Sequence, residues 1–169
     1  HCLWSGIIDR ARAGAVAASL VSPELFSGWG VRTLATTMSR YNPLSYHNGS
    51  VWPHDSAIAA AGLMRYGYVE ESWRILDALL DASVANGGRL PELYAGVARE
   101  ELPVPVAYPT SCSPQAWSSA APLLALRTLL RLEPRLDVGE IHVAPVDADR
   151  RVGEVQISLG KSRLVIGTT

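Results

Sequence analysis

SAIAAAGLMRYGYVEESWRILDALLDASVAN, residues 56–86, decides the fold. The part up to Tyr66 is apolar nearly all round, the pattern of a helix buried on several sides. His54, Asp55 or Ser56 starts that helix, and Gly67 suits its C-terminal stop. From Tyr68 the pattern turns amphipathic. Trp73, Leu76, Leu80 and Val84 share one face, while Glu70, Glu71, Arg74, Asp77 and Asp81 lie largely elsewhere. Gly87 and Gly88 end the second helix. A buried helix and an amphipathic helix joined by a very short turn make an αα-hairpin.

Upstream, DRARAGAVAASLV at 9–21 reads as a helix, with Asp9 as its cap and Pro23 beyond its end. Residues 22–37 are ambiguous: Gly28 and Gly30 flank Trp29, and a short helix is expected near Val31. Downstream, 89–113 is a long loop rich in Pro, Gly and Tyr. Ser113 as cap and Pro114 at the first helical position open a fourth helix through about Leu132, which Pro122 should kink. Arg127 and Arg131 suit the C-terminal end of its dipole. After Pro134 the segments EIHVAP, RVGEVQISLG and SRLVIG are short and β-branched, and read as a small antiparallel sheet. The expected organisation is therefore mainly α, with a helical part over 1–134 and a small β tail over 135–169 packing on it. The order of loop, inner helix, turn and outer helix is what an α/α toroid repeats, with the long loops at one end of the ring building the site.

With 169 residues, 48% apolar and 18% charged, the chain is globular. Lys plus Arg number 15 and Asp plus Glu 16, a balance that points neither to nucleic acid nor to an acidic lipid surface. No apolar run reaches membrane-spanning length. Cys2 and Cys112 form no CxxC and no zinc spacing, and read as free thiols in a reducing, cytoplasmic compartment, with a disulfide as the alternative. Five Trp and six Tyr stand against one Phe, so most aromatics carry a polar handle suited to half-wet surfaces.

The densest such segment is YNPLSYHNGSVWPHD at 41–55, which has neither helical period nor strand alternation. Tyr46, Trp52, Trp29, Tyr94 and Trp117 are candidates for stacking on a ring of a bound ligand. Trp73 reads instead as buried packing, and Trp117 leans the same way. His47 and His54 can hydrogen-bond hydroxyls or brace the loop; with Asp55 they fit no standard metal pattern, and no metal or other cofactor is expected. Asn48 and Gly49 form a tight turn that could offer backbone N–H groups to a ligand. Asp55 is placed to cap the helix that follows. Glu24 reads as peripheral. Gln115 is either a contact to a ligand or to the 89–113 loop, or a cap.

LFSGWGVRTL at 25–34, YNPLSYHNGSVWPHD at 41–55, RLPELYAG at 89–96 and YPTSCSPQAWSSAAPLL at 108–124 resemble, in order and spacing, the C-terminal part of the amylo-α-1,6-glucosidase, or glycogen-debranching-enzyme-like, glycoside hydrolases. The resemblance implies an (α/α)6 barrel and hydrolysis of α-glucosidic, including α-1,6, linkages by inversion. It implies Glu92, the glutamate of the LPEL segment, as general base, and an aspartate further upstream as general acid. The helices legible here are fewer than such a ring needs, so the chain is expected to be the C-terminal part of a longer barrel or to associate with a second copy. Trp29, Tyr46, His47, Asn48, Trp52, His54, Asp55, Tyr94 and Gln115 are the expected contacts to an oligosaccharide or α-glucan. A pairing of Asp55 with Glu92 as acid and base ranks lower. The rivals are a non-catalytic glycan-binding module and another toroid activity, such as an epimerase or a lyase; a lyase would want a more basic cleft than this neutral chain offers.

Overall fold

The 56–86 stretch folds as the helical hairpin its pattern predicts. The structure is a computed structural model and describes residues 1–135, 137–146 and 153–167. Five helices precede the strands among these residues: α1 Cys2–Ser5, α2 Arg10–Leu20, α3 Pro53–Tyr66, α4 Val69–Ala85 and α5 Ala116–Leu130. The chain divides into two units, His1–Leu126 and Arg127–Thr169.

In the first unit α3 packs along α4, and α1 and α2 pack on α3. Gly67, with φ of 90°, ends α3 in the left-handed conformation that favours glycine, and its N–H bonds back into the last turn. The Ser72 hydroxyl donates to the Ala60 carbonyl at 2.8 Å and staples the hairpin. The buried stripe of α4 begins with Trp73 and Leu76 as expected, but continues through Leu79 and Ala82. Val84 is exposed and Leu80 only half-buried. The stripe follows a three-residue step that drifts around the helix, and small Ala82 lets α3 approach. Trp73, Ile75 and Leu76 are each worth roughly 1.5–3 kcal/mol of transfer free energy.

Asp9 caps α2 as expected, accepting from Ala11 N–H at 3.0 Å. Three other local expectations are corrected. No helix forms near Val31: Phe26 bridges Val31 and Arg32 bridges Val51, both antiparallel. α3 begins at Pro53 with Trp52 as the N-cap residue, so Asp55 sits inside the first turn and is not the cap. Proline at the first helical position lacks the N–H that a cap would satisfy, which moves the start upstream. α5 begins at Ala116 rather than at Pro114. The Gln115 amide oxygen accepts from Ser118 N–H at 3.0 Å, the bond expected earlier from Ser113. Pro122 lies inside α5.

The two long loops are tied into the core by a short ladder. Val51 exchanges both backbone hydrogen bonds with Tyr94, at 2.9 and 3.0 Å, and Tyr94 bridges Ala107 in turn. Around this ladder Trp29, Val51, Ala57, Leu79, Ala82, Leu90, Tyr94 and Ala121 form one buried cluster.

The second unit carries β1 Glu133–Arg135 paired with β2 Glu140–His142, and β3 Val155–Leu159 paired with β4 Ser162–Ile166, all antiparallel. The expected single sheet is thus two separate two-stranded sheets. Pro134 is tolerated in β1 because that strand has one paired edge. Arg151 and Val152, at the head of the expected strand, lie outside the described residues. No helix among the described residues is long and apolar enough to cross a membrane.

Candidate functional site

Glu92 lies on the 89–113 loop, just before the Tyr94 bridge, and is only 8% exposed. Its main chain is fixed from two directions. Glu92 N–H donates to the Cys112 carbonyl at 3.0 Å, and the Ser118 hydroxyl donates to the Glu92 carbonyl at 3.4 Å. One carboxylate oxygen accepts the Tyr46 hydroxyl at 2.6 Å and the other accepts Cys112 N–H at 3.2 Å. The Tyr46 hydroxyl, then the Cys112 N–H, hold the Glu92 carboxyl below the ordinary carboxylate range, against the opposing effect of burial. The same bond, with burial behind it, pushes Tyr46 up to about 12. The proton therefore stays on Tyr46 and the charge on Glu92. The Cys112 thiol is a further, weaker donor to the group, and three donors on four lone-pair sites still leave room to accept a proton.

Tyr46 is positioned through its own carbonyl, which accepts the Ser50 hydroxyl at 2.7 Å and the Trp52 indole N–H at 3.2 Å. Its ring meets His47, Trp52 and Tyr108 edge-on, with centroids 4.7, 4.9 and 5.6 Å away. His47 is exposed and lies parallel to Trp52 at 5.9 Å. His54 stacks on Trp117, 4.1 Å apart and 8° from parallel, and Trp117 turns its edge to Trp52. Burial pushes the His54 imidazole down and keeps it neutral near pH 7; the charges of Asp55 and Glu92 oppose that shift. Its buried Nδ1 has no protein partner among the described residues. Asp55 lies 3.7 Å from His54 and 2.6 Å from His1.

Glu92, Tyr46, His47, Trp52, His54 and Asp55 thus come together, and four expected contacts do not join them. Trp29 is 3% exposed, sits in the core cluster and carries the Arg99 guanidinium over its ring at 4.4 Å. No face of it is left for a sugar. Tyr94 is 1% exposed and its hydroxyl donates to the Trp29 carbonyl, so it too is core. Gln115 uses its side-chain oxygen as the α5 cap. Asn48 is exposed, but the turn it makes with Gly49 offers no spare N–H: Asn48 N–H donates to the Ser45 hydroxyl and Gly49 N–H to the Thr33 hydroxyl. Trp117, expected to lean toward the core, is 48% exposed. Sequence reasoning missed Tyr108 and the Cys112 N–H. Tyr108 sits in an aromatic, proline-rich approach that could have flagged it; a main-chain donor leaves no mark in the sequence.

Among the described residues no three His, Cys, Asp or Glu groups are gathered to hold a metal ion. Cys2 and Cys112 are exposed and unpaired. A shielded carboxylate held ionised among aromatic and imidazole rings can act as a proton acceptor toward a bound ligand. The model of the mannosylglycerate hydrolase MGH1-like glycoside hydrolase domain matches residues 1–95, more than half of the chain and including Glu92. The chain belongs to this glycoside hydrolase family. No curated protein matches it.

Proposed function

We propose that the chain carries the base half of an inverting α-glycosidase site built on part of an (α/α)6 toroid, with Glu92 as general base. The observation that supports this most is the Glu92 carboxylate, kept ionised by Tyr46 and Cys112 yet able to accept one more proton. A water between Glu92 and the anomeric carbon gives its proton to the carboxylate as its oxygen bonds to that carbon. The glycosidic bond breaks, and its electron pair leaves with the departing oxygen, which takes a proton from an acid on the opposite face. Such a pair of carboxyl groups stands roughly 6.5–9.5 Å apart. The resemblance assigns the acid to an aspartate of an earlier barrel segment. Asp55, in contact with His54, is the alternative within these residues. The substrate class is an α-linked oligosaccharide or glucan, with α-1,6-glucosides among the candidates, met in a cytoplasmic setting. The family's name adds mannosylglycerate to the panel of substrates.

The test compares Glu92→Gln and Glu92→Ala with the parent on that panel, all in a form of the protein that also carries the earlier barrel segment. The expected loss is about 10²–10⁴-fold in kcat. Azide, which needs no base, should restore turnover in Glu92→Ala and give a glycosyl azide of inverted configuration. Parental activity in Glu92→Gln would remove the base role. A parent that binds these sugars without cleaving any would favour the glycan-binding module.

A further inference from the structure

Resting on that glycosidase reading, we infer that Trp117 is a stacking platform for a second sugar ring, next to the one whose bond is cut, and so selects oligosaccharides over single-ring glycosides. Trp117 combines three properties. It is 48% exposed although it lies on a strongly apolar helix. One face of its indole is backed by the parallel His54 ring at 4.1 Å, and its edge meets Trp52, so its orientation is fixed before any ligand arrives. No ring covers the opposite face among the described residues. An aromatic side chain held rigid at its own cost loses little entropy on binding.

Its neighbours set which ring it meets. Ser118, the next residue, donates to the Glu92 carbonyl, and the rings from Trp117 through Trp52 to Tyr46 lead to the Glu92 carboxylate. Glu92 and Trp52 are 8% and 6% exposed, while Trp117, at the outer end of that path, is 48% exposed. The sugar undergoing attack must stand within one water of buried Glu92. The open platform at the other end of the path therefore meets a neighbouring ring. The C–H groups of a pyranose face carry slight positive charge and suit the negative face of an indole.

Titration calorimetry on the Glu92→Gln chain, which spares the ligand, tests this with maltotriose and α-1,6-mannotriose against glucose and mannose. Trp117→Ala should weaken the better trisaccharide about tenfold, the size of one aromatic stacking contact, and leave the matching monosaccharide unchanged. Trp117→Phe should recover most of the loss, and circular dichroism should show both variants folded. Equal losses for trisaccharide and monosaccharide, an unchanged trisaccharide affinity, or no trisaccharide binding before substitution would each overturn the inference. Hydrolysis that survives Glu92→Gln would sink the base assignment and with it the placement of the second ring, whereas an unchanged trisaccharide affinity in a Glu92→Gln chain that no longer hydrolyses would overturn the platform alone.

Discussion

At the residue scale the site depends on one hydrogen bond, from Tyr46 to Glu92 at 2.6 Å. Because Glu92 is depressed by that bond, it stays an ionised base to a lower pH than a free carboxylate would. Activity should be present above its folded-state pKa and fall as pH drops through it. Tyr46→Phe removes the largest cause of the depression, so the acid limb of the kcat/KM profile should move to higher pH. An unmoved limb would mean that the limb reports another group. On the alkaline side the Tyr46 proton persists to about 12, so this bond contributes nothing to any fall in rate near pH 9. Glu92 stood out as a candidate base mainly because LPEL resembles a family segment; its place after Pro91 in a polar, aromatic-rich loop pointed the same way more weakly. The aromatics were legible as a set but not one by one. Trp29 between two glycines looked open, yet Gly30 is small because a Cβ there would meet Val51 and Ser56, which brings Trp29 into the core. Trp117 looked buried because it lies in an apolar helix, and the sequence does not say which face of that helix stays open.

At the element scale the hairpin of α3 and α4 could be read from periodicity, because hydrophobic spacing and the glycine stop act locally. The ladder joining Val51, Tyr94 and Ala107 could not. Its partners are tens of residues apart, and single-residue bridges leave no alternation to detect. This ladder brings the Tyr46 loop to the Glu92 loop. Gly96 is its tightest point: a Cβ there would run into the Gly49 carbonyl, and Gly96 N–H already donates to the Pro43 carbonyl at 2.9 Å. Gly96→Ala should cost about 1–3 kcal/mol by overpacking and also lower activity, because it pushes away the loop that holds Tyr46. Asp9→Ala, which removes the α2 cap, should cost about 1 kcal/mol and leave kcat unchanged. Chemical denaturation paired with initial rates checks both. Equal effects of the two variants on rate would contradict the proposed link between the ladder and the site.

At the scale of the whole molecule, mainly helical architecture with small antiparallel sheets was legible from the change of pattern after Pro134. The split of the strands into two sheets was not, because a strand as short as Glu133–Arg135 carries no periodic signal. Family membership supports a glycosidase function. The central claim is finer: a buried, ionised Glu92 activates water directly, without a covalent sugar intermediate. Proton NMR of the first-formed product from an α-glycoside tests it most directly, read before the anomers equilibrate. With Glu92 as the base, the β-anomer appears first and its formation is lost with Glu92→Gln. The α-anomer appearing first would mean retention through a nucleophile, and would contradict it.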